Sequence, residues 1–187
     1  MIELSSYQLE TCESLSCKSA ALLNLTPDHL DRYPSMREYG DAKTRIFRNM
    51  APWATRVISA DDPEVQALYA RHLGSNDPSF LFTTQSCLPS RRLQGRMLQL
   101  GGYVAEGQLV LRGVHGGLEA SLSGVEISEE RYPQSELQLV GRHNQANALA
   151  AFLLMRGSGL ASYDEVRRAA ASFHALPHRM QLVGEAQ

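Results

Sequence analysis

The sequence predicts an α/β domain: a mostly parallel β-sheet flanked by helices, with a small antiparallel β ribbon set apart from the parallel strands. Three observations predict it. Short apolar runs alternate with segments of helical periodicity, as in successive βα units. Helix-start signals follow the apolar runs. Between Arg92 and Ser123 the pattern changes to short apolar stretches broken by glycines.

Taken in order, Ala20–Leu25 reads as a buried strand, with Thr26-Pro27 as an N-cap and a proline in the first helical position. Met36–Met50 is helical in pattern, and Arg56–Ser59 returns as a strand. Asp62-Pro63-Glu64 opens a helix with the apolar stripe Val65, Leu68, Tyr69 and Leu73, and Gly74 stands just past its end. Ser79–Thr83 is the next strand. In the glycine-broken stretch, Leu98, Leu100, Tyr103, Val104, Leu109, Val110, Leu111 and Val114 make up the ribbon, with Glu106-Gly107 at a turn. Two helices follow; the second opens on the capping box Ser162-x-x-Glu165 and carries Val166, Ala169, Ala170 and Phe173 on one side. Met180–Val183 reads as a final strand.

A chain of 187 residues with 43% hydrophobic and 20% charged residues can bury a core and is globular in composition. Its formal charge of -2, without a Lys/Arg cluster, leaves no basic footprint for nucleic acid. No apolar run approaches the ~20 residues that span a bilayer. Cys12, Cys17 and Cys87 lack zinc-ligand spacing and are odd in number, so buried or partly buried free thiols in a reducing compartment are expected.

Several residues could carry chemistry. Alone, Glu3 is a solvated charge; at the carboxyl end of a strand, where Glu3-Leu4-Ser5-Ser6 is expected, it becomes a site for magnesium, which takes hard oxygen ligands. Ser5, Ser6 and Gln8 are placed in the same loop. His29, in Thr26-Pro27-Asp28-His29, reads locally as part of a helix start. Lys43 shares a helix face with Tyr39, Ile46 and Phe47, so a bare ammonium there must snorkel outward, be paired or be neutralised. Asn144 and Asn147 lie three apart near a helix start; amides with both donor and acceptor suit the edge of adenine, and N-capping is the local alternative for Asn144. His178 and Arg179 follow Pro177, and an arginine there can grip phosphate oxygens in bidentate fashion or form an ordinary ion pair. His72, His115, His143 and His174 form no spaced cluster and are given no role.

Four runs go further together: Glu3-Leu4-Ser5-Ser6-Tyr7-Gln8-Leu9, Asn24-Leu25-Thr26-Pro27-Asp28-His29-Leu30-Asp31-Arg32-Tyr33, Gly141-Arg142-His143-Asn144-Gln145-Ala146-Asn147-Ala148-Leu149-Ala150-Ala151, and Leu176-Pro177-His178-Arg179. In order and approximate spacing they resemble the Mur ligases, and among these the D-glutamate-adding branch. The resemblance implies a P-loop-NTPase-like central domain of a cytoplasmic, ATP-dependent ligase of peptidoglycan biosynthesis. It implies UDP-N-acetylmuramoyl-L-alanine, D-glutamate and ATP as substrates, with Mg2+, two ions in the full enzyme. An acyl phosphate forms on the alanine carboxylate, and the D-glutamate amine attacks it. Carried over residue by residue, Glu3, His29 and a carbamylated Lys43 hold metal, with Lys43 and His29 catalytic. Ser5 and His29 touch substrate, and Asn144, Asn147, His178 and Arg179 bind nucleotide.

The chain departs from the family in one motif: no G-x-x-x-x-G-K-[ST] phosphate loop occurs in it. The family carries that loop shortly before the Glu-Leu-Ser-Ser run and continues into a third domain beyond the Pro-His-Arg run. Residues 1–187 are therefore expected to be part of a central, ATP-binding domain, without the UDP-binding and C-terminal domains. Other Mur ligases and folylpolyglutamate synthase share the architecture, and a non-catalytic domain that keeps only the fold is the alternative from a different class. The polypeptide by itself is predicted to show no ligase turnover, since backbone amides and the lysine of such a loop position the transferred phosphate. Phosphate release from ATP that requires both UDP-N-acetylmuramoyl-L-alanine and D-glutamate, from the purified chain, would contradict this.

Overall fold

The computed structural model describes residues 1–28, 31–73, 77, 79–93, 96–114, 127–138 and 141–173. The strands β1 (Ser19–Leu22), β2 (Thr55–Ser59) and β3 (Phe80–Phe82) run parallel, and β6 (Gly101–Ala105) pairs parallel with β3. β7 (Gln108–Arg112) and β8 (Glu129–Pro133) then extend the same sheet antiparallel, giving the order β1-β2-β3-β6-β7-β8. A separate two-stranded ribbon consists of β4 (Arg91–Leu93) and β5 (Arg96–Leu98). The small antiparallel ribbon is thus this β4–β5 pair. The turn at Glu106-Gly107 is where expected, both residues at positive φ, but its hairpin belongs to the main sheet, because Leu81 pairs with Gly101 and Phe82 with Gly102. The part of the ribbon expected over residues 115–123 lies outside the described residues.

Every residue of β2 and β3 is buried, as expected of central strands covered on both faces. Alternation sends Val57, Phe80 and Phe82 to one face and Ile58 and Leu81 to the other. The first face is covered by α4 (Arg142–Gly157) through Leu149, Phe152 and Leu153, with α5 (Tyr163–Ser172) adding Val166. The second is covered by α2 (Met36–Thr44, continued by the single turn Arg45–Phe47) and α3 (Pro63–His72), through Tyr39, Ala42, Phe47, Val65, Leu68 and Tyr69.

Helix starts follow side-chain chemistry. Asp62 caps α3 through Val65 N at 3.0 Å, and Ser162 and Glu165 form the expected capping box of α5. Ser35, not Thr26, opens α2, accepting from Arg37 N and Glu38 N at 3.1 and 3.4 Å. Pro27 biases Thr26 toward extended backbone, and residues 25–28 are not helical. β1 is shorter than predicted, because the Leu25 amide turns away to Asp62 Oδ2 at 2.9 Å. Ser5, Ser6 and Gln8 do not form a loop: Ser5 and Gln8 make a capping box on a short helix, α1 (Ser6–Thr11), which the sequence reading missed. On α5, Val166 is buried and Ala170 packs against the core, but Ala169 and Phe173 are exposed. Cys12 and Cys17 are free and half-buried as expected, while Cys87 is exposed. Gly74 and the strand at 180–183 lie outside the described residues. No helix among those described is long and apolar enough to cross a membrane.

The parallel joint between β3 and β6 depends on one residue. Gly101 has φ +142°, and a Cβ there would stand 1.6 Å from the Leu81 carbonyl oxygen. Gly101→Ala is expected to lower unfolding free energy in urea by roughly 3 kcal/mol or more, since backbone cannot yield as a side chain can. A loss below about 1 kcal/mol would contradict this packing.

Candidate functional site

Parallel register brings the carboxyl ends of β1, β2 and β3 to one edge, Leu22 beside Ile58 and Ser59 beside Phe82. In open α/β sheets this is where ligands bind. Just beyond that edge lies a cleft of about 470 Å³, lined among others by Asn24, Asp61, Thr84, Arg142, His143 and Asn147. The last three come from the first turns of α4, whose N-cap is Gly141 at φ +98°, without a side-chain cap. An N-terminal helix end facing a cleft favours negative charge.

Two adjacent aspartates shape the cleft. Asp61 accepts from the Thr84 amide and the Thr84 hydroxyl, both at 2.7 Å, and from the Thr83 hydroxyl. Burial pushes its carboxyl up, but these donors, with Arg142 nearby, outweigh that and hold it below the ordinary value. Asp62 divides its oxygens between the Leu25 amide and the Val65 amide. Arg142 Nη2 donates to Thr84 Oγ1 at 2.8 Å, joining α4 to the end of β3.

A second constellation lies along α1 and α2. Tyr7 stacks on Tyr33 with centroids 6.2 Å apart, and Tyr33 meets Tyr39 at 5.3 Å. The Lys43 ammonium sits over the Tyr39 ring, 5.7 Å from its centroid. Arg32 stacks over Tyr7 at 4.7 Å and bridges to Glu10 at 2.6 Å. Arg45 donates to the carbonyls of Leu9 and Glu10 at 2.8 and 3.0 Å, tying the end of α1 to α2. The first two sequence runs and the Lys43 helix are therefore joined through aromatic rings.

Of the residues singled out in the sequence, Lys43 does share a face with Tyr39, over whose ring its ammonium sits, while Ile46 and Phe47 fall in the tighter turn Arg45–Phe47 past the end of the α-helix; Tyr39 and Phe47 are buried and Lys43 is half-buried. Glu3 is exposed and precedes α1 in irregular chain, not at the end of a described strand. Ser5 serves as the α1 cap. Asn147 lines the cleft; Asn144, three residues earlier, is half-buried, and the N-cap position belongs to Gly141. His29, His178 and Arg179 lie outside the described residues. The reading overlooked Asp61, Thr84, Arg142 and His143. Arg142 and His143 stand within the Gly141–Ala151 run, and Asp61 directly follows a strand, so a search of strand ends would have found it. His72, left without a role, pairs with Asp41 at 2.6 Å across α2 and α3.

Glu3 can give magnesium a hard oxygen. Lys43 as an ammonium cannot ligate, so a metal set that includes it requires conversion to a carbamate. Among the described residues, no group of three or more His, Cys, Asp or Glu side chains is placed to hold a metal ion.

Residues 1–155 match the Mur ligase middle domain family. The UDP-N-acetylmuramoylalanine--D-glutamate ligase of Myxococcus xanthus is 38% identical over 184 residues, 98% of this chain and 36% of that protein. The enzyme of that name from Nitrosomonas europaea is 36% identical over 185 residues, 98% of this chain and 34% of its own length. The chain thus spans about a third of the length of the curated relatives it matches. Among solved structures, a UDP-N-acetylmuramoyl-L-alanyl-D-glutamate--2,6-diaminopimelate ligase superposes with a TM-score of 0.58 at 18% identity, over 98% of this chain and 34% of the other. MurF from Acinetobacter baumannii gives 0.56 at 15%, over 90% and 32%. These two likenesses show a shared fold.

The depressed Asp61 carboxyl has a pH consequence. Its folded value lies below the ordinary 3.8, so its contribution to stability is complete above that value and is lost as pH falls through the folded one. The stability gap between wild type and Asp61→Asn in urea denaturation should be widest near neutrality and narrow in acid. A gap independent of pH would contradict it.

Proposed function

This chain belongs to the Mur ligase family, and on that footing we propose that it is the nucleotide-binding middle part of an ATP-dependent ligase that adds D-glutamate to UDP-N-acetylmuramoyl-L-alanine. The observation that carries the reading is the cleft at the carboxyl ends of β1–β3, where Arg142, His143 and Asn147 of α4 face Asp61 and Thr84. The relatives of 36–38% identity, matched along nearly the whole chain, are named for that ligation.

In this reading Asn147 presents donor and acceptor to the adenine edge, while the α4 N-terminus and Arg142 favour the nucleotide's negative charge. Arg179 adds a permanent cation for phosphate. Glu3, His29 and a carbamylated Lys43 would hold magnesium, which when bound offsets charge on the phosphates. The aromatic contacts from Tyr7 to Tyr39 tie α1, which follows Glu3, to α2, which carries Lys43. The terminal phosphoryl group passes to the alanine carboxylate, and the D-glutamate amine then displaces phosphate from the acyl phosphate. The resident compartment is the cytoplasm, where ATP and the UDP-linked substrate are made.

Steady-state kinetics on a ligase carrying this chain as its middle domain tests the division of roles. Asn147→Ala and Arg179→Ala should each raise the KM for ATP by about tenfold while leaving those for the other two substrates unchanged. Lys43→Ala should lower kcat at least about a hundredfold without unfolding the domain, and acetate should restore part of it by taking the carbamate's place. Normal turnover in Lys43→Ala, or an unchanged ATP KM in the other two variants, would refute the corresponding assignment.

A further inference from the structure

Asp61 is more than a turn former. Three donors converge on its carboxylate: the Thr83 hydroxyl, the Thr84 amide and the Thr84 hydroxyl. An asparagine offers only one acceptor oxygen, so this position calls for a carboxylate. The Thr84 hydroxyl has a single proton, and it donates that proton's hydrogen bond to Asp61. What remains on Thr84 Oγ1 is acceptor capacity, which the Arg142 guanidinium, a donor only, meets at 2.8 Å. The direction of the chain Arg142→Thr84→Asp61 is thereby fixed, and each bond polarises the next. Its residues come from the ends of β2 and β3 and the start of α4, and all three side chains line the cleft.

We propose that Asp61 is a positioning residue which, through Thr84, holds Arg142 at the mouth of the cleft to meet a nucleotide's phosphate. This rests on the nucleotide reading of the cleft and adds to it two side chains and the bonds that orient a third. Without Asp61, the Thr84 hydroxyl is free to rotate its proton toward Arg142, and a long exposed side chain loses its anchor.

The test titrates the isotope-labelled chain with MgATP, following α4 amide shifts together with the Arg142 Nη–Hη cross-peaks, which report the group that donates to Thr84. Arg142→Ala should weaken binding about tenfold, the usual scale for a charge-assisted hydrogen bond. Asp61→Asn and Thr84→Val should each weaken it to a similar degree. The double variant Asp61→Asn/Arg142→Ala should bind no more weakly than Arg142→Ala alone. In Asp61→Asn and Thr84→Val the Arg142 cross-peaks should move to the positions of a free arginine, and Thr84→Ser should bring them back. A role confined to folding would not produce that pattern. Wild-type affinity in Asp61→Asn or Thr84→Val, unmoved cross-peaks, or losses that multiply in the double variant would overturn the positioning role and leave the nucleotide reading standing. Absence of any MgATP response in wild-type α4 would overturn both. Should Asp61→Asn unfold, Thr84→Val and Thr84→Ser decide alone.

Discussion

Two neighbouring carboxylates at the end of the central strand β2 hold the working edge of this sheet together by binding in opposite directions. Asp62 reaches back to the Leu25 amide beyond β1 and forward to the start of α3. Asp61 reaches across to Thr83 and Thr84 beyond β3. Strand ends leave backbone amides without ladder partners, and a buried amide left unpaired costs about 1–3 kcal/mol. Carboxylates that accept several such donors remove that cost and fix where the three strand ends lie relative to one another. The cleft, and the approach of α4 to it through Arg142, depend on this arrangement.

Under the proposed function the residues divide by chemistry. On one side are groups suited to a nucleotide: the uncapped start of α4, Arg142 and the amide of Asn147. On the other are Glu3 and Lys43, set on segments that the Tyr7–Tyr33–Tyr39 contacts and Arg45 bind together. Lys43 is half-buried against an aromatic face, where a cation is tolerated as it stands and where a change of its charge would alter its preferred neighbours. Under the proposed function, nucleotide binding and metal-dependent transfer would then respond separately to substitution.

Much of this was legible in the sequence where the governing interactions are local. The capping box at Ser162, the Asp62 cap, the Glu106-Gly107 turn and the shared face of Tyr39 and Lys43 all follow from spacings of one to four residues. What escaped depends on distant partners. Asp61 is bonded to residues 22 and 23 positions away, and Leu25 to Asp62 across 37. The β6–β7 hairpin reads as a free ribbon because its attachment to β3 depends on a close backbone approach at Gly101, which no periodicity reports. Glu3 was expected at a strand end because a short apolar start resembles a strand, yet the following residues satisfy a helix cap instead. The Thr26-Pro27 pair carried a helix-start signal, but Ser35, with Glu38 three residues on, met the same need nearer the apolar stripe.

The central claim is that the nucleotide lies between the carboxyl ends of β1–β3 and the first turns of α4. Photolabelling with 8-azido-ATP, in a ligase carrying this chain as its middle domain, followed by peptide mapping, tests it most directly. The label should fall on the peptide that carries Arg142–Asn147 and be displaced by excess ATP. ATP-protected label confined instead to the hollow between Glu136 and Arg167, and none on the α4 peptide, would contradict it.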